Sequence, residues 1–345
     1  MGVTILNDFP TSYFFKPFSD CSGINLVSLF EHSSIRNKDY YTLNSRVTSL
    51  NKQYESNSNF SRLVTLYRHR KLFKEKVCIP GWDYFEYWVI VFLIRPKYVS
   101  MIFESTIYES KYTGINGFLK FLFLSKVDLV FAPGIPHQNL SEKLGFRKEV
   151  YITGGVGWHN WFNLAMVNRE IVEEITNILY VGRLSEEKGV TMILDLAENF
   201  SNFHFQIVGS GPLEDSLKAR ILDNQIDNVE LVGYVNSTEL EYYYKNNQIL
   251  IVPSVSEVWC LAIEEALHFQ LPVLISDMVG CREDLIEKFD LGLVFKSGNL
   301  DDLIMKFGLI SSRSNYSKLV GNISSCSFKQ INKYSHLVEK LKDAE

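Results

Sequence analysis

Short apolar runs recur along the chain, and most of them are followed by glycine or a small polar residue. Runs of this length that are apolar throughout are typical of parallel strands buried on both faces. Segments with helical patterning stand between several of them. We predict strands at residues 3–6, 76–79, 99–103, 129–132, 177–181, 203–208, 229–232, 249–252 and 272–275, and helices at 117–125, 190–197 and 213–219. Strands that alternate with helices predict an α/β fold with parallel sheets.

The chain has 345 residues, which is enough for two domains of ordinary size. We predict an N-terminal domain over residues 1–165, a second domain over 166–322 and a last helical segment over 323–345. The linker is expected in the stretch 155–174, after a glycine-rich turn. Two α/β domains that face one another would leave a ligand cleft between their strand ends.

Composition narrows the class of protein. Hydrophobic content of 46% and a charged fraction of 22% are those of a folded globular chain. A net charge of −5 argues against a general nucleic-acid binder. The five cysteines are scattered, as in a protein with reduced thiols. No signal peptide is recognised, and the longest apolar run, residues 87–94, is too short to span a bilayer. We therefore expect a cytoplasmic protein.

The loop after the predicted strand 177–181 carries two cations between two glycines. Arg183 and Lys188 lie five positions apart, bounded by Gly182 and Gly189. Guanidinium offers a planar fork for phosphate oxygens, and ammonium offers a mobile point charge. The two side chains could converge on one anion, or they could be solvated charges of a surface loop.

Two carboxylates stand eight positions apart in the segment that follows strand 249–252. Glu257 is expected in the loop at the carboxyl end of that strand, where open α/β sheets bind ligands. Glu265 is expected two turns into the next helix. The first backbone amides of this helix, near Cys260 and Leu261, would face an anion. The neighbouring Glu264 is interpreted as part of a solvated helix face.

Gly209 and Gly211 follow the next strand of the second domain, 203–208. Glycines at such a position allow the backbone to approach a ligand or to turn tightly. A GxG of this kind is as well explained by an ordinary strand-to-helix turn.

In this order and spacing, the motifs resemble those of the retaining glycosyltransferases of family 4. The resemblance covers roughly residues 177–310. It rests on Gly182-Arg183 with Lys188-Gly189, on residues 208–212, on Val232-Gly233, on Pro253-Ser254 with Glu257 and Glu265-Ala266, and on the segments 270–277, 280–286 and 292–294. Their co-occurrence is far more specific than any single motif.

The resemblance implies a GT-B fold, with two Rossmann-like domains facing a central cleft and a C-terminal helix that crosses back to the first domain. Arg183, Lys188 and Glu257 would be the catalytic residues: the two cations would hold the donor diphosphate, and Glu257 would contact the donor sugar. Glu265 would hold the ribose. The donor-binding set implied by the family motifs is Gly182, Gly209, Gly211, Trp259, Cys260, Leu261 and Glu265.

The chemistry expected from the resemblance is transfer of a sugar from a nucleoside-diphosphate donor, UDP favoured over GDP, to an acceptor hydroxyl with retention of configuration. No DxD motif is visible, so we expect no metal and no further cofactor. The departing phosphate is expected to take the acceptor proton. The chain departs from the family pattern at Trp259, Cys260, Glu264 and Val279, and the first two are expected to reshape the sugar pocket.

The acceptor is expected to be a glycan or a lipid-linked glycan of surface polysaccharide or lipopolysaccharide biosynthesis. A basic patch at residues 68–76 and the aromatic run 13–15 favour peripheral contact with the inner face of a membrane. A solvated helix face explains the patch equally well. Three rivals remain: a GT-B epimerase or hydrolase, a non-catalytic binding protein, and, with least support, an NAD-dependent dehydrogenase, for which a full GxGxxG is missing.

Overall fold

The computed structural model describes residues 2–8, 18, 21–32, 47–53, 58–156, 169–331, 333 and 336–343. The aromatic run 13–15 lies outside these ranges, and so do residues 157–168 of the predicted linker. The chain divides into two compact units: Met1–Phe162 together with Lys329–Glu345, and Asn163–Phe328.

The first unit is built on a parallel sheet of seven strands, ordered β3-β2-β1-β4-β5-β6-β7. Its elements in chain order are β1 (Val3–Asn7), β2 (Ile24–His32), β3 (Val47–Gln53), α1 (Asn59–Arg68), β4 (Lys76–Ile79), α2 (Phe85–Val89), β5 (Tyr98–Ile102), α3 (Gly114–Leu124), β6 (Leu129–Ala132), α4 (Ile135–Lys143) and β7 (Glu149–Ile152). A 3₁₀-helix covers Arg70–Phe73, and a π-helix, Ile90–Ile94, continues α2. The apolar run at 87–94 is thus helical, and all of it except the exposed Leu93 packs on the core.

The second unit is built on a parallel sheet of six strands, ordered β10-β9-β8-β11-β12-β13. Its elements are β8 (Asn177–Val181), α5 (Thr191–Asn199), β9 (His204–Val208), α6 (Glu214–Asp223), β10 (Val229–Gly233), α7 (Ser237–Asn246), β11 (Ile249–Val252), α8 (Leu261–His268), β12 (Val273–Ser276), β13 (Gly292–Phe295), α9 (Leu300–Ile310) and α10 (Arg313–Ser325). A 3₁₀-helix, Glu186–Lys188, follows β8, and a π-helix, Arg282–Glu287, precedes β13.

Each predicted strand is found within a residue or two of its expected bounds, since most of these strands are apolar on both faces. Ile249–Val252, for example, is buried at all four positions. The strands β2, β3, β7 and β13 were missed. In β3 and β7, polar residues interrupt the apolar pattern, as is usual for strands at the two ends of a sheet.

The first unit contains a buried ion pair between α1 and α2. Arg62 donates from Nε to Glu86 Oε1 at 2.6 Å and from Nη2 to Glu86 Oε2 at 2.9 Å. The guanidinium also lies over the rings of Phe30 and Phe85, at 5.0 and 4.5 Å from their centroids. Bidentate geometry and aromatic contacts compensate for the removal of both charges from water.

The chain returns to the first unit through α11 (Phe328–Ile331) and α12 (Leu337–Asp343). Leu337 and Leu341 are buried in one apolar cluster with Val3 and Ile5 of β1. The Lys333 amide donates to the Thr153 carbonyl at 2.6 Å. The second unit ends at residue 328, and Leu319 and Val320 of α10 belong to its apolar core.

Candidate functional site

The strand order of the second unit reverses direction between β8 and β11. These two strands pair directly, while the chain continues from β8 towards β10 and from β11 towards β13. Loops that leave the carboxyl ends of two such strands diverge and leave room for a ligand. The loop after β8 contains Arg183 and Lys188, and the loop after β11 contains Glu257, so the sequence-predicted charges lie at this switch point.

Lys188 and Glu257 form an ion pair across the switch point. The distance from Lys188 Nζ to Glu257 Oε2 is 2.5 Å, and the two side chains are 26% and 13% exposed. Burial lowers the pKa of the Lys188 ammonium, but the charge and hydrogen bond of Glu257 outweigh it, so the pKa is raised above its usual value. The lysine is therefore held charged beside its carboxylate.

Backbone contacts fix the two loops against each other. Val255 N donates to Glu187 O at 2.9 Å. Gly189 has a φ of +64°, and a Cβ placed there would lie 2.1 Å from Pro253 O. Only glycine fits a left-handed position with this clearance. Gly189 thus sets the distance between the loop of Lys188 and the loop of Glu257.

Arg183 is exposed, in contrast to Lys188. Its carbonyl accepts a hydrogen bond from the Tyr180 hydroxyl at 2.9 Å. The pKa of Glu187 is lowered, first by a hydrogen bond from Ser185 and to a smaller extent by the positive charges of Arg183 and Lys188. Both cations therefore lie close enough to influence one carboxylate.

Gly209 and Gly211, in the loop after β9, are required by backbone packing. A Cβ at Gly209 would lie 1.9 Å from Gly182 O, and a Cβ at Gly211 would lie 2.4 Å from Leu184 O. Gly182 N donates to Val208 O at 3.0 Å, and Leu184 N donates to Ser210 O at 3.1 Å. These contacts account for the GxG without a ligand; donor binding by Gly182, Gly209 and Gly211 stays a prediction.

The entrance to α8 is strained. Cys260, the residue before the helix, has φ +81° and ψ +92°. A non-glycine residue rarely adopts such a backbone. Burial, followed by the negative charge of Glu257, raises the pKa of the Cys260 thiol. The thiol is therefore neutral beside the ion pair, and the helix starts at Leu261 immediately after it.

Glu265 is the fifth residue of α8, so it lies just over one turn into the helix and not two turns as expected. Its Oε2 accepts a hydrogen bond from the hydroxyl of Tyr244 in α7 at 2.6 Å. Tyr244 is fully buried, and burial raises its pKa well above the usual value, with a further contribution from Glu265. Tyr244 therefore orients the Glu265 carboxylate as a neutral donor.

The interpretation of Glu264 as part of a solvated face is wrong. Glu264 is buried, and its Oε1 accepts a hydrogen bond from Nε1 of Trp259, which is buried as well. The helix presents this position to the interior, where a carboxylate needs a donor. Trp259 and Glu264, two of the departures from the family pattern, thus form one contact.

Sequence reasoning missed Tyr180, Glu187 and Tyr244. Tyr244 has a partner distant in sequence, Glu187 acts through its backbone carbonyl, and Tyr180 donates to the carbonyl of Arg183, so no motif marks any of them. Only the tyrosine run of α7 gave a signal, because a buried tyrosine hydroxyl usually has a polar partner.

The first unit also has a polar cavity at its own switch point, between β1 and β4. Its volume is about 90 Å³, and it is lined by residues from the loops after β1, β4 and β5. The lining includes Asp8, Trp82, Asp83, Tyr87 and Glu104. The Tyr87 hydroxyl donates to Asp8. This cavity was not predicted from the sequence.

Comparison with known families and structures agrees with this geometry. Residues 165–321 match the family model of glycosyl transferases group 1. The amylovoran biosynthesis glycosyltransferase AmsK of Erwinia amylovora is 31% identical over 153 residues, which are 41% of this chain and 37% of AmsK. The chain spans less than half the length of the curated relatives that it matches first, at 44%, 40% and 37%.

Solved structures extend the match to the whole chain. The lipopolysaccharide outer core galactosyltransferase WaaB aligns with a TM-score of 0.71 and 14% identity over 99% of each chain. Anabaena HepE, solved with UDP and glucose, aligns with a TM-score of 0.72 and 14% identity over 100% of each chain. The two Rossmann-like units and these alignments confirm the predicted GT-B fold.

Proposed function

We propose that the protein is a glycosyltransferase that moves a sugar from a nucleoside-diphosphate donor to an acceptor hydroxyl with retention of configuration. The observation that carries this proposal is the Lys188–Glu257 ion pair at the β8/β11 switch point, beside the first turn of α8. A fixed cation, a fixed carboxylate and the N-terminus of a helix suit a ligand with a diphosphate at one end and sugar hydroxyls at the other.

In the proposed reaction, the bond between the anomeric carbon and the diphosphate oxygen breaks, and the acceptor oxygen forms the new bond on the same face of the sugar. Arg183 and Lys188 stabilise the negative charge that develops on the leaving diphosphate. The acceptor proton passes to an oxygen of that phosphate. Glu257 accepts hydrogen bonds from sugar hydroxyls, and its contact with Lys188 keeps the cation in place before the donor arrives.

Glu265, oriented by Tyr244, accepts the ribose hydroxyls in this proposal. Uracil is the favoured base, since HepE was solved with UDP and glucose. The two protein cations take the part of a divalent ion, and no further cofactor is proposed. Trp259, Cys260 and Leu261 complete the donor pocket. The buried indole of Trp259 would act on that pocket through the backbone.

The acceptor proposed is a glycan or lipid-linked glycan of surface polysaccharide or lipopolysaccharide biosynthesis, at the cytoplasmic face of a membrane. AmsK belongs to the biosynthesis of amylovoran. The cavity of the first unit, with Trp82 beside the carboxylates of Asp8, Asp83 and Glu104, is suited to sugar hydroxyls. In the described residues, no helix is long and apolar enough to span a bilayer.

The test begins with a thermal-shift screen of UDP, GDP, ADP and their sugar conjugates. A ligand that binds the folded state raises the melting temperature. We expect UDP compounds to stabilise the wild type, and Glu265→Ala to reduce that shift. Acceptor-dependent release of UDP, lost in Arg183→Ala, would separate a transferase from an epimerase or hydrolase. Absence of any nucleotide shift would favour the non-catalytic binding protein.

A further inference from the structure

Helix α3 exposes an apolar stripe on the surface of the first unit. Ile115, Phe118, Leu119 and Leu122 are 76%, 60%, 42% and 37% exposed. Their spacing of i, i+3, i+4 and i+7 places them on one face of the helix. The opposite face packs on the core through residues such as Phe123, whose ring lies 4.9 Å from the ring of Trp88. Four large apolar side chains on one exposed helix face form more than scattered surface hydrophobics.

Acidic residues flank the helix only beyond its lysines, where Glu109 accepts a hydrogen bond from Thr106 N and Asp128 is paired with Lys148. Residues 111–126 contain three lysines and no Asp or Glu, although the whole chain has a net charge of −5. Lys111 and Lys126 are exposed just beyond the two ends of the helix. Lys120 is engaged elsewhere, because its ammonium donates to Ser110 and lies 5.2 Å from the ring centroid of Trp82. The stripe is therefore an apolar face with a positive charge at each end.

We propose that this face docks on an anionic lipid surface, with α3 lying in the plane of the interface. The helix is about 16 Å long at 1.5 Å per residue. An apolar face at this orientation enters the headgroup boundary, and flanking lysines contact anionic headgroups. The docking deepens the membrane contact of the proposed function, on which it rests, by assigning it to named residues.

A second copy of the chain is a poorer occupant for this face. If two α3 helices packed antiparallel across a two-fold axis, Lys111 of one copy would approach Lys126 of the other. If they packed in parallel, each lysine would approach its own counterpart. Both arrangements bring like charges together, which destabilises an interface, whereas an anionic bilayer neutralises both ends at once.

Helix α1 provides the nearest competing surface within the first unit. Phe60, Leu63 and Tyr67 are exposed there, next to the basic patch at 68–76. The guanidinium of Arg70 is already engaged, lying 4.1 Å from the Tyr67 ring centroid and donating to Tyr67 O at 2.9 Å. The face of α3 has the larger apolar stripe, so we assign the docking to α3 and use α1 as a comparison.

The experiment measures sedimentation of the full chain with vesicles of phosphatidylcholine alone and of phosphatidylcholine with 30% phosphatidylglycerol, a composition chosen for the assay. The variant Phe118→Ser/Leu122→Ser should lower the partition coefficient to anionic vesicles at least tenfold. Leu222→Ser, which changes an exposed leucine of α6, is the matched control and should leave it unchanged. Lys111→Gln/Lys126→Gln should reduce binding to anionic vesicles several-fold.

Three results would overturn the assignment. The first is equal vesicle binding by the wild type and the α3 variant. The second is loss of binding in Phe60→Ser/Tyr67→Ser with α3 intact. The third is a wild-type dimer in light scattering that the α3 variant converts to monomers. UDP thermal shifts on the same samples separate the two proposals: vesicle binding without any nucleotide shift supports docking and contradicts the transferase, and the reverse result contradicts docking alone.

Discussion

Replacing Lys188 with methionine should destabilise the second unit, because it leaves the Glu257 carboxylate without its cation in a mostly buried position. The two side chains are 26% and 13% exposed, and their charged atoms are 2.5 Å apart. Breaking a fully buried pair costs about 3–5 kcal/mol, and exposed pairs contribute about 0–1 kcal/mol. The partial burial of this pair places the expected loss near 2 kcal/mol in the free energy of unfolding.

The assay is urea unfolding of the wild type and variant at neutral pH. Because the folded-state pKa of Lys188 is raised, its contribution is fully present below the unfolded lysine pKa of about 10.4 and is lost as the pH rises through the folded value. The lysine itself should therefore add no pH dependence between about pH 6 and 9.

Lys218→Met is the matched control. It breaks the Lys218–Glu214 ion pair, 2.6 Å long, on the exposed surface of α6 in the same unit. That substitution should leave stability unchanged within error. If Lys188→Met lowers the free energy of unfolding no more than Lys218→Met does, the pair at the switch point does not stabilise the two loops, and the site is not preformed.

Three further predictions concern stability and can be checked by the same denaturation assay. Cys260→Gly should be more stable than Cys260→Ala by about 1 kcal/mol, since only glycine relieves the left-handed backbone; the usual preference for alanine would refute the strain. Trp259→Phe should cost about 1–3 kcal/mol by leaving Glu264 without its indole donor, and adding Glu264→Met should recover much of the loss; simple additivity would show that the pair is not coupled. Glu86→Ala should cost about 3–5 kcal/mol, because Arg62 would be left buried without its carboxylate; a loss below 1 kcal/mol would show that water reaches the guanidinium.

The position of a residue could be predicted from the sequence where a local pattern alone determines it. Lys188 and Glu257 were predicted at strand ends because apolar runs and following glycines mark where parallel strands stop. The burial of Glu264 could not be predicted in the same way. It depends on the indole of Trp259 being turned to the same interior position, and a carboxylate without that donor would be expected at the surface.

Other contacts between residues that are distant in sequence could not be predicted either. Tyr244 is 21 positions from Glu265, and the spacing between them carries no pattern. The exposed stripe of α3 was also hidden, because an apolar helix reads as a core element until the packing shows which face is covered. Whether an apolar helix face is buried or exposed depends on the elements that pack beside it.

The first unit contains both ends of the described chain, and this has a consequence for the order of events during synthesis. Leu337 and Leu341 complete the apolar cluster that contains Val3 and Ile5. A nascent chain on the ribosome cannot close that cluster until residues 329–345 have been translated and released from the exit tunnel. The second unit, Asn163–Phe328, is continuous, so all of its own contacts become available earlier. The N-terminal unit would then reach its final packing last, reversing the usual vectorial order.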